Sequence, residues 1–217
     1  MLRSLLLLCA CVGGLSLTIT PADEPASGAE QEIVLFDGKS LDGWIQRGGT
    51  ATYEIVDGTI VGTSRPNTPN SFLCTAETYG DFELTLEFNV DDGLNSGVQV
   101  RSQSRPDYQN GRVHGYQVEI DSSERGWTGG IYDEGRRGWL TDLAAKPGAR
   151  VAIRPSEWNR MRVRAEGPHL QTWINDTPVA DLTDDMDPRG FMALQVHSVD
   201  QEAPLRVRWR NIRLKPL

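Results

Sequence analysis

The stretch GYQVEID, residues 115–121, alternates without a break: Tyr116, Val118 and Ile120 on one side, Gln117, Glu119 and Asp121 on the other. Successive side chains of an extended chain point to opposite faces, so this segment reads as a strand with one apolar face for a core. Its other face carries an amide and two carboxylates. Seven more runs alternate in the same way: TYEIVDGTIVG (52–62), DFELTLEFNV (81–90), SGVQVRS (96–102), NRMRVRAEG (159–167), HLQTWIN (169–175), GFMALQVHS (190–198) and LRVRWRNIRLK (205–215). The pairs Asp37-Gly38, Asp42-Gly43, Asp57-Gly58, Asp92-Gly93 and Asn175-Asp176 punctuate them. Such pairs supply the positive-φ positions of tight turns, and at this spacing they predict an all-β sandwich or barrel. No run sustains the 3.6-residue period of a helix.

The chain has 217 residues, 38% hydrophobic and 24% charged, which suits one all-β domain with a sizeable core. A formal net charge of -8 gives a phosphate backbone little reason to approach, so no nucleic-acid partner is expected. The basic C-terminal run is a local exception. It reads as a strand whose Leu205, Val207 and Trp209 face the core while the arginines form a solvated face.

The N-terminus, MLRSLLLLCACVGGLSLTITPADEP, has Arg3 ahead of an apolar, small-residue stretch and then turns polar, as a secretory signal does. Residues 1–22 are read as a signal peptide, 23–32 as a flexible leader and 33–217 as one domain. The apolar stretch is too short to argue for an integral membrane span. The protein is therefore expected to be exported, to the periplasm or the extracellular space. A lipid anchor at Cys11 is the weaker reading, because the apolar run before it is short for a lipoprotein signal. Cys9 and Cys11 fall in this segment, which leaves Cys74 alone and makes an internal disulfide impossible in the mature chain.

Applied to three strands together, the alternation gathers functional groups. Val98 and Val100 oppose Gly97, Gln99 and Arg101; Met192, Leu194 and Val196 oppose Ala193, Gln195 and His197. If these strands share a sheet with 115–121, one face carries Gln99, Arg101, Gln117, Glu119, Asp121, Gln195 and His197. Amides and carboxylates hydrogen-bond hydroxyls, arginine offers a fixed fork of donors, and histidine moves a proton near neutral pH. The expected ligand is a glycoside or oligosaccharide, with Trp127, Tyr132 and Trp139 placed to stack on a sugar ring. Asp133-Glu134 followed by Arg136-Arg137 reads as a charged loop. The chain carries no Gly-rich phosphate loop, no G-x-S-x-G elbow and no zinc-type Cys or His spacing.

Taken as a set, LFDGKSLDGW (35–44), NSGVQVRS (95–102), GYQVEID, TGGIYDE (128–134), EWNRMRV (157–163), TWIND (172–176) and GFMALQVHS resemble the 3-keto-disaccharide hydrolase domain. That family is also described as 3-keto-glucoside 1,2-lyase and 3-keto-2-hydroxyglucal hydratase. The resemblance covers residues 33 to 217. It implies a concanavalin A-like jelly-roll sandwich of two antiparallel sheets, and an exported enzyme that cleaves 3-keto-glycosides by C2 proton abstraction, elimination at C1 and hydration. The motif positions fall on Asn95, Ser96, Gly97, Arg101, Gln117, Glu119, Asp121, Gly130, Tyr132, Gln195 and His197. Where relatives commonly show G-x-E-x-Q-x-x-D, this chain has Gln117 and then Glu119. The catalytic set expected is His197 or Glu119 as base, Arg101 as donor to the enolate and Asp121 as orienter or acid. Asn95, Ser96, Gln99, Gln117, Tyr132, Trp127 and Gln195 are the expected substrate contacts. A divalent metal, Mg, Mn or Ca, held by Asp121, Glu119 and His197 is the alternative electrophile. A non-catalytic carbohydrate-binding module on the same fold is the rival reading.

Overall fold

The structure, a computed structural model, describes residues 31–145, 153–154, 156–200 and 202–217. The signal peptide read at 1–22 and nearly all of the leader lie outside the described residues. Among those described there are only strands, in two antiparallel sheets, and no helix long and apolar enough to cross a membrane. One sheet runs β13 (Thr177–Thr183), β12 (His169–Ile174), β11 (Asn159–Glu166), β6 (Phe82–Val90), β15 (Arg206–Pro216), β4 (Thr59–Thr63) and β3 (Thr52–Val56), with β1 (Ile33–Val34) added on β15. The other runs β10 (Gly138–Trp139), β9 (Ile131–Glu134), β8 (His114–Asp121), β7 (Asn95–Gln103), β14 (Phe191–Val196), β5 (Ser71–Thr75) and β2 (Trp44–Gly48). This is the jelly-roll sandwich of two antiparallel sheets that the alternation and the resemblance imply.

The core lies between the sheets. From the first sheet come Phe82, Leu84, Leu86, Phe88 and Val90 of β6, each two residues apart, with Met161 and Val163 of β11 and Val207 and Trp209 of β15. From the second come Val98, Val100, Tyr116, Val118, Ile120, Leu194 and Val196. Burying each such side chain contributes about 1.5–3 kcal/mol, and the non-local pairing makes the two sheets interdependent. The outward arginines of β15 meet carboxylates, Arg208 with Asp91 at 2.8 Å and Arg210 with Glu87 at 2.6 Å. Exposed pairs of this kind add ~0–1 kcal/mol each.

One interruption of the alternation relocates a residue expected in the site. Arg101 adopts φ +49°, and the registers of β7 with both β8 and β14 shift at this point. A left-handed residue in a strand makes a bulge that re-aims the next side chains. Ser102 therefore takes the outward place that strict alternation assigns to Arg101, and Arg101 turns to the end of the sandwich. It is fully buried, donating to Gly80 O at 2.7 Å, to Gly167 O at 2.6 Å and to Asp81 Oδ1 at 2.8 Å. Gly190 packs against the bulge so closely that a Cβ there would lie 2.2 Å from the Arg101 carbonyl carbon. Arg101 ties the second sheet to the first and contributes nothing to the outer polar face.

Arg101→Met, which leaves the Gly80 and Gly167 carbonyls without this donor and Asp81 with only the Gly167 N–H, is expected to lower stability by about 2–4 kcal/mol in urea unfolding. Arg101→Lys, which keeps the charge but not the fork, falls between. Ligand affinity of the folded fraction stays unchanged in both; a selective loss of affinity would return Arg101 to the site.

Candidate functional site

Register builds the site. Gln99 of β7 stands opposite Gln117 of β8, and Gln117 opposite Tyr132 of β9. One rung along, Gln195 of β14 stands opposite Gly97, and Gly97 opposite Glu119. Because Val98, Val118 and Leu194 must face the core, these polar neighbours are all driven to the outer face of the second sheet. Gln117, Glu119 and Gln195 floor a pocket of about 310 Å³. Gly97 is a requirement of that packing: a Cβ on it would lie 2.6 Å from Gln117 Cδ.

A one-way chain of donors crosses the floor. Ser102 Oγ donates to Gln99 Oε1 at 2.6 Å, Gln99 Nε2 to Gln117 Oε1 at 2.7 Å, and Gln117 Nε2 to Glu119 Oε2 at 2.9 Å. Asn95 Nδ2 donates to the other carboxylate oxygen at 2.5 Å. Burial nevertheless dominates, pushing the Glu119 carboxyl from its ordinary 4.5 up to about 7; the two amides and Arg125 pull the other way, and the Asp121 charge adds to the rise. Glu119 can therefore give or take a proton near neutrality.

Above Glu119 sits a guanidinium that the alternation did not reveal. Arg125, in the loop after β8, puts Nη2 3.5 Å from Glu119 Oε1 and donates Nε–H to Asp121 Oδ2 at 2.8 Å. Its guanidinium carbon lies 4.9 Å from the ring centre of Trp127 and 5.1 Å from that of Trp139, and those two rings meet edge to face. Asp121 also accepts from the Ser123 hydroxyl and the Trp127 N–H. Burial opposes its ionisation, but Ser123 and Arg125 hold its carboxyl below the usual range. Asp121 is thus a fixed anion that positions Arg125.

The remaining walls come from β9, β10 and two connections. Trp139 and Tyr132 stand on one side. Glu134, next after Tyr132 on the same face of β9, pairs with Arg112 at 3.5 Å. Burial raises its carboxyl above 4.5, against the pull of Arg112 and of His197. His197 follows β14, and its Nδ1 lies 2.7 Å from the Ser198 carbonyl. A carbonyl can only accept, so Nδ1 carries a proton and Nε2 is left to face the pocket. Gln195 is fully buried in the floor, and neither its Oε1 nor its Nε2 has a partner among the described residues. A buried amide without partners costs free energy, and this one borders the pocket.

Of the residues singled out from sequence, the structure brings Glu119, His197, Asn95, Gln117, Tyr132 and Gln195 to one pocket. Gln99 lies beneath it as a link of the donor chain. Ser96 is turned inward, donating to the Gln195 carbonyl at 2.6 Å. Trp127 supports Arg125 from behind, and neither Asp121 nor Arg101 lines the pocket. The metal set fits poorly: Asp121 is committed to Arg125 and Ser123, the Arg125 guanidinium occupies the approach to Glu119, and no three metal-binding side chains cluster among the described residues. Asn70, Arg112, Arg125 and Glu134 were not anticipated. Glu134 had a signal, since it shares the period-two face of Tyr132; Arg125 had only its place between GYQVEID and two glycines.

The reading of 133–137 as a charged loop is half right. Asp133 is fully buried and pairs with Arg136 at 2.7 Å and Arg137 at 2.5 Å. Arg137 goes on to Asp184 at 2.7 Å, and Arg136 pairs with Asp187. This network fixes the β9–β10 edge against the segment before β14, which holds Tyr132, Glu134 and Trp139 in place.

Because Glu119 holds its proton more tightly folded than unfolded, the folded state loses stability as pH rises from 4.5 through about 7. Against Glu119→Gln, the wild type should lose on the order of 3 kcal/mol between about pH 5 and 8 in urea unfolding. A difference that stays constant with pH would contradict the raised carboxyl.

Among solved structures, the chain is similar to a Parabacteroides distasonis protein provisionally named a glycosyl hydrolase, at 24% identity and TM-score 0.60 over 86% of this chain and 100% of that one. A carbohydrate-binding module of Bacillus subtilis is similar at 18% identity and TM-score 0.59, over 79% and 94%. A Bacillus subtilis protein with a galectin-like fold is similar at 13% identity and TM-score 0.54, over 87% and 96%. At these identities the likeness is one of fold. No curated protein matches the chain. Residues 31–215 match the 3-keto-alpha-glucoside-1,2-lyase-like domain. The chain therefore belongs to that family of carbohydrate-active proteins.

Proposed function

We propose that the protein cleaves 3-keto-glycosides by elimination followed by hydration, with Glu119 as the base at C2. The observation that carries this reading is a buried carboxyl brought to about 7 and faced by a guanidinium 3.5 Å away, in a polar pocket of about 310 Å³. A solvated sheet face has no need of either. That volume is at the small end for ligand sites and suits one sugar ring.

A ketone at C3 acidifies the C2 hydrogen because the resulting carbanion delocalises as an enolate. Glu119 takes the proton as the C2–H bond breaks, and the electron pair moves into the enolate. Arg125 stands nearest to stabilise the charge on the C3 oxygen, the role that sequence assigned to Arg101. As the pair returns to form the C1–C2 double bond, the C1–O bond breaks and the leaving oxygen takes a proton. Glu134 and the His197 imidazole, which line the same side of the pocket, are the groups placed to pass that proton to it. Water then adds across the double bond, hydroxyl to C1 and proton to C2, giving the free 3-keto sugar. Gln195, Asn95 and Gln117 bind ring hydroxyls. No step needs a metal ion held by these side chains. The signal-like N-terminal segment supports an exported location for this reaction.

The base must be ionised, so kcat/KM for a methyl 3-keto-glucoside is expected to rise with pH through about 7. Glu119→Gln should lower kcat by about 10²–10⁴-fold and abolish C2 deuterium incorporation in heavy water. Arg125→Lys should lower kcat by about 10²-fold with a smaller change in KM. Sugar binding without turnover or C2 exchange in the wild type would sink this mechanism and favour a carbohydrate-binding module.

A further inference from the structure

The polar pocket does not end at Glu134. Beyond the Arg112–Glu134 pair the outer face continues into a groove of about 650 Å³, with Asn70, Arg112 and Glu134 bordering both spaces. The character of the surface changes across that border. Phe72 of β5 stands one strand beyond Gln195, and Ala193 stands opposite Cys74, so the polar face gives way to an apolar one. Phe72, Cys74, Ala193, Phe191 and Val113 form a second hydrophobic cluster, separate from the core between the sheets. Phe72 and Val113 reach the groove, with Pro69 at its rim.

The far wall is the β7–β8 connection, folded back over the sheet and pinned there. Tyr108 Oη donates to Gly135 O at 2.7 Å and its ring lies 4.0 Å from that of His114. Ser104 Oγ donates to Gly111 O at 2.6 Å. Gln109, Asn110 and Gly111 all have positive φ, so the turn is one defined shape. A wall held this way is formed before a ligand arrives.

We propose that this groove is the leaving-group subsite, and that it takes an aryl aglycone in preference to a second sugar. The proposal rests on the glycoside reading of the polar pocket. A glycoside bound with its ring over Glu119 must send its C1 substituent across the border, and the proton donor for the leaving oxygen must stand at that border. Glu134 does so. A planar apolar ring covers Phe72, Val113 and Pro69 without desolvating hydroxyls, as a sugar seated on the same three residues would have to, while Asn70, Gln109, Asn110 and Arg112 complete the lining and face polar ring substituents.

Two measurements test this. Titration of the protein with 4-nitrophenol, followed through the methyl resonances of Val113, should give a saturable shift in the millimolar range that Pro69→Trp abolishes. No shift at Val113 overturns the subsite, whatever turnover shows. In kinetics, Pro69→Trp should raise KM for an aryl 3-keto-glucoside by about tenfold or more and leave the methyl 3-keto-glucoside within about twofold. Val113→Thr, which keeps the volume of the floor, should act in the same direction and guards against misfolding of the first variant. Equal losses for aryl and methyl substrates, or a 3-keto-disaccharide as sensitive to Pro69→Trp as the aryl glycoside, would overturn it. If no 3-keto-glycoside is turned over, the catalytic reading fails and the Val113 titration still decides the groove.

Discussion

The hydrogen-bond chain from Ser102 through Gln99 and Gln117 to Glu119 is the constraint around which the polar face is organised. Every donor in it points the same way, so both glutamine amides are locked in orientation and the last N–H falls on the carboxylate. The chain exists because β7 and β8 pair with Val98 opposite Val118, and a slip of one residue in either strand would send that strand's polar groups into the core. Core packing therefore sets the site's geometry, although the two lie on opposite faces of the sheet.

Electrostatically the site is a compromise between burial and partnership. Glu119 is buried deeply enough to resist ionisation, yet Asn95, Gln117 and Arg125 keep its charged form within reach at neutral pH. Arg125 is itself restrained on three sides, by Asp121 and by the faces of Trp127 and Trp139. These restraints make it a group that need not reorganise as charge develops beside it. The Asp133 network supplies the same rigidity at the β9–β10 edge, so the walls are held by ion pairs while the floor is held by amides.

Much of the floor is legible in the alternation alone. Gln99, Gln117, Glu119, Gln195 and His197 lie where period two puts them, because apolar neighbours at every second position leave a strand no other choice. Arg101 breaks the pattern for a local reason, its left-handed φ, which exchanges its place with Ser102. The exchange is invisible in VRS, where arginine looks at least as suited to a polar face as serine. Arg125, Arg112 and Asn70 come from connections, whose side chains have no period to follow.

The sequence by itself determined the class of fold, the two faces of each strand and the identity of the carboxylate row, since these depend on local alternation and turn chemistry. Tertiary structure decided which strands became neighbours, that a loop arginine and not a strand arginine meets Glu119, and that Asp121 faces Arg125 and not the pocket. It also decided how deeply Glu119 is buried, and with that its proton affinity. Those outcomes depend on contacts between residues far apart in the chain, whose geometry arises only when both sheets close on one core.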